Sequence, residues 1–145
     1  MAKIKASMAD VSTDFQVFEP SVYDFEIKKI EEVENKGKFP NLDTDDPIAY
    51  IVISEFQDGQ YQGKQYRDYI NIRTKEGALS DPGLAALKRY FEAIFGKDTV
   101  ESWTDDDYDT DQLVNKGWRG QVAVESYQKN GETKQTNRIK HMEGR

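Results

Sequence analysis

Residues 80–96 carry the one clear helical period of this chain, and nearly everything around them reads as strand. Leu84, Leu87, Tyr90, Phe91, Ile94 and Phe95 recur at the spacing that places side chains on one side of a helix. Ser80 or Asp81 can cap its start, Pro82 is tolerated in the first turn, and Gly96 stops it. Three strand patterns precede the helix. In the first, Tyr23, Phe25 and Ile27 share a face opposite Asp24, Glu26 and Lys28, until Ile30 and Val33 break the parity as at a bulge or a strand end. The second, residues 48–53, is apolar on both faces and β-branched, the composition of a central strand. The third covers residues 66–73. After the helix, residues 117–127 form a fourth strand, Asn130-Gly131 is a hairpin turn, and residues 133–142 return as a fifth.

The order β-β-β-α-β-β defines a mainly β fold. It is expected to be a five-stranded OB-like barrel with one helix between strands 3 and 4. Gly120 inside a strand fits the sharp coiling of a small barrel. The predicted organisation is an N-terminal arm over residues 1–20, the barrel over 21–142 with an acidic linker at 97–115, and a tail at 143–145.

The third strand separates two kinds of residue. Alternate side chains of a strand point to opposite faces, so Ile70 and Ile72 take one side. Arg67, Tyr69, Asn71 and Arg73 take the other: two guanidiniums, a ring and an amide in a row. Such a row suits an anionic ligand with flat, stackable parts, and single-stranded nucleic acid has both. The same residue types also populate ordinary solvated strand faces. Tyr50 on the second strand is expected opposite Ile51 and Ile53. On the fourth, Arg119, Gln121 and Tyr127 share parity against Trp118, Val122 and Val124, which assigns Trp118 to the core. Arg138 and Lys140 share a face on the fifth. The expected DNA-binding set is therefore Arg67, Tyr69 and Arg73 first, then Asn71, Tyr50, Arg119, Tyr127, Arg138 and Lys140.

The 145 residues fit a single domain, and their net charge of -7 would repel a polyanion if it were spread evenly. It is not. Residues 31–58 hold eight acids against two lysines, and residues 97–111 hold seven acids against one lysine. Residues 116–145 reverse the sign, with seven bases against three acids. The acidic stretches read as loops and the basic ones as strands.

Other chemistry has little to build on. With no cysteine, disulfides and thiolate metal sites are excluded, which fits a reducing cytoplasm. No apolar run approaches a membrane span, and the first residues lack the apolar stretch of a secretory signal. His141 is the only histidine and lies near the chain end, so histidine triads and histidine metal clusters are not expected, and neither catalysis nor a cofactor is predicted. Asp105, Asp107, Asp109 and Asp111 alternate like calcium-loop ligands, but Thr110 stands where that loop needs glycine and Lys116 where it needs glutamate. This run reads better as solvated charge, with a second reading as a cover over a basic groove. Asp43, Asp45 and Asp46 are the only basis for a metal-dependent nuclease, and loop charge explains them as well.

Several short segments resemble a family of small phage proteins encoded beside recombination and replication genes, some of which look like OB-fold single-stranded-DNA-binding proteins. These segments are residues 23–27, 63–66, 84–91 with Phe95-Gly96, 120–127 and 137–140. The resemblance spans roughly residues 20–142. It implies a non-catalytic protein in the cytoplasm of a bacterial host, protecting single-stranded DNA with little sequence preference and meeting other recombination or replication proteins. One departure stands out: many single-strand binders end in an acidic tail, whereas this chain ends Glu143-Gly144-Arg145, leaving residues 105–111 as its acidic segment. The rival expectation is a protein–protein module, a phage accessory or virion component, on the same fold.

Overall fold

A computed structural model describes residues 17–145. The chain forms β1 (Ser21–Glu34), β2 (Pro47–Phe56), β3 (Gln65–Asn71), α1 (Asp81–Phe95), α2 (Lys97–Glu101), β4 (Gly117–Lys129) and β5 (Glu132–Gly144). The strands make one antiparallel sheet in the order β3-β2-β1-β4-β5. The mainly β class, the five strands and the helix between strands 3 and 4 are as the sequence predicts.

Closure is not. No ladder joins β3 to β5 among the described residues, so both stand as edges of an open sheet. Part of the gap holds the end of the expected arm. Phe18 is buried there, packed against Phe56, Tyr61 and Tyr66. The rest of that arm, residues 1–16, lies outside the described residues.

The parity break in β1 is a bulge: the register slips between Ile27 and Lys29, which carries Ile30 back to the core side opposite Val52. The core centres on Trp118, stacked on Phe25 at 4.3 Å and edge-on to Tyr90 at 5.3 Å. Its Nε1 donates to Ser54 Oγ at 3.1 Å, so the one polar atom of the buried indole is satisfied. That ring explains Gly120. A Cβ there would lie 2.3 Å from Trp118 Cζ3, so the glycine makes room for the indole besides any role in coiling.

Helix α1 begins at Ser80, whose Oγ accepts from the Gly83 amide, and ends at Gly96 with φ of 91°. At Gly83 the helix meets β3 so closely that a Cβ would stand 2.0 Å from Asn71 O. The acidic segment does not hang free. Trp103 and Tyr108 pack their rings on Phe91, and Val100 and Leu113 are buried. The Asn115 amide donates to Ile27 O, tying the segment to β1.

Strand β4 pairs with β1 only from Gly117 to Val122; beyond that, β4 and β5 continue as a two-stranded hairpin. At its tip Asn130 and Gly131 both have positive φ, the type I′ geometry that Asn-Gly favours.

Candidate nucleic-acid interface

Strand β3 alternates as its sequence requires. Tyr66 and Ile70 are buried, as is Ile72 just beyond the strand, while Arg67, Tyr69 and Asn71 are exposed. Register sets Tyr69 beside Ile51 and Arg67 beside Ile53 on the outer face. Tyr69 keeps 57% of its surface exposed. Arg67 Nη2 lies 3.8 Å from Glu31 Oε2, a loose contact between two exposed side chains that leaves the guanidinium accessible.

Beneath this face, Asp68 points inward. The Tyr90 hydroxyl donates to Asp68 Oδ2 at 2.6 Å. Burial raises the Asp68 carboxyl above its ordinary range, against the lowering effect of that hydrogen bond and of nearby Arg89. Burial likewise pushes the Tyr90 and Tyr66 hydroxyls up. The strand is thereby fastened to α1 from below while Arg67 and Tyr69 stay exposed on its outer side.

The open seam between β3 and β5 is a cleft of about 520 Å³. Gln65, Arg67 and Tyr69 of β3, with Ile51 of β2, form one wall. Tyr127, Gln135 and Thr136 of the hairpin form the other. At the base, the Asn137 side chain accepts from Phe18 N and donates to Phe18 O, both at 2.8 Å. Three of the nine predicted residues, Arg67, Tyr69 and Tyr127, thus converge from two separate parts of the chain. Gln65, Ile51, Gln135 and Thr136 were not anticipated. Nothing in the sequence marks them, because only the curl of the sheet brings the hairpin opposite β3.

The other six stand elsewhere. Arg73 is turned into the chain: its Nε donates to Pro47 O at 3.0 Å and its Nη1 to Gly77 O at 3.3 Å. Asn71 Oδ1 accepts from the Arg73 amide, so both serve the end of β3. Tyr50 reverses the expected face. It shares parity with Val52, lies opposite Ile70 and packs against the core, while Ile51 and Ile53 take the side of Tyr69 and Arg67. A strand apolar on both faces offers no sequence signal for which side is inward. Arg119 is held by Asp24 at 2.8 Å and Arg138 by Glu125 at 2.6 Å. The Arg119 hydrogen bond, more than the partial burial that opposes it, lowers the Asp24 carboxyl. Lys140 is exposed on β5, beside the register slip at Gln121 and Val122.

Two acidic motifs find local employment. Asp107 Oδ2 accepts from the Thr104 amide and Asp109 Oδ1 from the Asp111 amide, so their alternation caps successive short turns packed on α1. This places the segment against the helix and β1 instead of over the β3 face. Asp43, Asp45 and Asp46 bring carboxylate oxygens within 4.8 Å of one another on an exposed loop, and Asp46 Oδ2 accepts from the Asp43 amide. Buried Asn35 organises that loop, donating to the carbonyls of Phe39, Leu42 and Asp43. Neither the known family models nor the curated proteins give a match to this chain.

Proposed function

We propose that the protein binds single-stranded DNA, with little sequence preference and without catalysis, through the cleft between β3 and β5. The observation that carries this reading is the meeting of Arg67, Tyr69 and Tyr127 in one cleft, two of them large exposed rings. Accessible rings stack on any base, and a guanidinium beside them suits the backbone. The strand order supports it further. An OB-type barrel that is partly open carries oligonucleotides on the face of its second and third strands and on its last hairpin, the origins of this cleft's walls. With the resemblance to phage single-strand binders, this fits protection of displaced strands during phage replication or recombination in the host cytoplasm, alongside other proteins of those pathways.

The test is a titration of a labelled dT oligomer of about 30 nucleotides against a duplex of equal length at low salt. Binding of the oligomer with little binding of the duplex supports the reading; no binding of the oligomer defeats it. One observation favours a second reading, a protein–protein module. Among the described residues neither edge flanking the cleft has a ladder partner, which suits an extended peptide adding to the sheet. That reading predicts no DNA affinity at any salt and a stable complex with a protein partner.

A further inference from the structure

Proteins that track a single strand by its phosphates line the path with cations, and their affinity falls steeply with salt. This cleft has a different inventory. Among the described residues, Arg67 is the only charged one lining it. Around that guanidinium stand the exposed rings of Tyr69 and Tyr127, the amides of Gln65 and Gln135, and the hydroxyl of Thr136.

The arginines of the other strands, and Arg73 beyond β3, lie outside that lining and have partners of their own. Arg119 is paired with Asp24, Arg138 with Glu125, and Arg73 with two backbone carbonyls. Lys134 and Lys29 lie 3.3 Å from Glu132 and Glu31. A net charge of -7 adds no long-range attraction for a polyanion. Flat rings and amides, by contrast, match bases. A ring stacks on any base, and a primary amide donates and accepts, so it can turn to meet any base edge.

Resting on the single-strand reading above, we infer that the cleft takes single-stranded DNA by its bases, with Arg67 as its one phosphate contact. Tyr69 and Tyr127 are the stacking surfaces, and Gln65 and Gln135 meet the exposed base edges. Binding is then nearly indifferent to salt and depends on bases being present.

The experiment compares two labelled oligomers of about 15 nucleotides, one of dT and one abasic throughout, at about 50 and about 200 mM salt. A single phosphate contact lowers affinity by about threefold over that range, whereas six would lower it several hundredfold, on the order expected for single strands. The expected result is a drop of about threefold for dT, and at least about tenfold weaker binding of the abasic strand at either salt. The double variant Tyr69→Ala/Tyr127→Ala should bring dT down to the abasic level; both side chains are exposed and outside the core, so the unfolding midpoint should stay near wild type. Equal binding of abasic and dT strands, or a drop in the hundreds, overturns base-led recognition and leaves the single-strand reading standing. Absence of dT binding even at low salt overturns both.

Discussion

One side-chain amide, that of Asn137, makes two 2.8 Å hydrogen bonds to the backbone of a residue 119 positions away, Phe18. It also donates to Ala123 O across the β4–β5 ladder at 3.2 Å. Asn137 therefore joins the arm to β5 at the place where the sheet stays open. Asn137→Ala leaves the Phe18 amide and carbonyl without their partner in a half-buried setting, at a cost of about 2 kcal/mol. Urea unfolding should show a lower midpoint with an unchanged slope. A midpoint equal to wild type would mean that solvent replaces the amide and the arm is not held by it.

The half-buried Asp68 carboxyl should make the stability of the fold depend on pH. Its folded carboxyl is raised above the ordinary value of 3.8, chiefly by burial. A raised carboxyl contributes stability that is fully present below the unfolded pKa and lost as pH rises through the folded one. Asp68→Asn removes that loss while keeping an oxygen for the Tyr90 hydroxyl. Relative to wild type, the variant should gain stability between about pH 4 and pH 7, by about 1.4 kcal/mol for each tenfold weakening of the acid. Unfolding midpoints of both proteins at the two ends of that range decide it, and a constant difference would show that Asp68 titrates normally.

At Gly83 two effects oppose each other. Alanine is the better helix former by about 1 kcal/mol. Its Cβ, however, would stand 2.0 Å from the Asn71 carbonyl oxygen, which is backbone and cannot turn aside. Overpacking of this kind costs about 1–3 kcal/mol, so Gly83→Ala should destabilise despite the propensity gain. A raised Tm would show that α1 can slide off β3 without loss.

Arg67 and Arg73 look alike in the sequence and should behave oppositely. Arg67→Ala is expected to weaken dT binding by severalfold with stability within about 0.5 kcal/mol of wild type. Arg73→Ala removes donors to two carbonyls and should cost about 1–2 kcal/mol of stability while leaving dT affinity unchanged. Parallel anisotropy and urea measurements on the two variants separate the roles. Loss of dT affinity in Arg73→Ala alone would place the interface at the other end of β3.

What the sequence made legible was whatever depends on local period. The alternation of β3, the capped helix from Ser80, the Asn130-Gly131 turn and the burial of Trp118 all follow from neighbours a few residues apart. What it hid depends on which face turns inward and on what the chain brings opposite. Tyr50 was assigned the wrong side because β2 is apolar on both. Arg119 and Arg138 looked free because their carboxylates, Asp24 and Glu125, come from 95 and 13 positions away. Tyr127 could be named but not placed across from Tyr69. The acidic segment read as linker because its few large apolar residues, Val100, Trp103, Tyr108 and Leu113, are diluted among aspartates.

The two walls of the cleft are supported unequally. The β3 wall is laddered to β2 and bolted to α1 through Asp68 and Tyr90. The opposite wall belongs to the part of the hairpin beyond Val122, where among the described residues β4 and β5 ladder only with each other and Asn137 ties them to the arm at Phe18. A two-stranded ribbon is marginal by itself. The cleft thus has one wall laddered and fastened to the helix and one wall carried mainly by a hairpin, so amide protons over residues 123–136 should exchange with solvent faster than those of β3. If the cleft takes bases as proposed, bending of the hairpin would let it accept pyrimidines and purines alike without repacking the core.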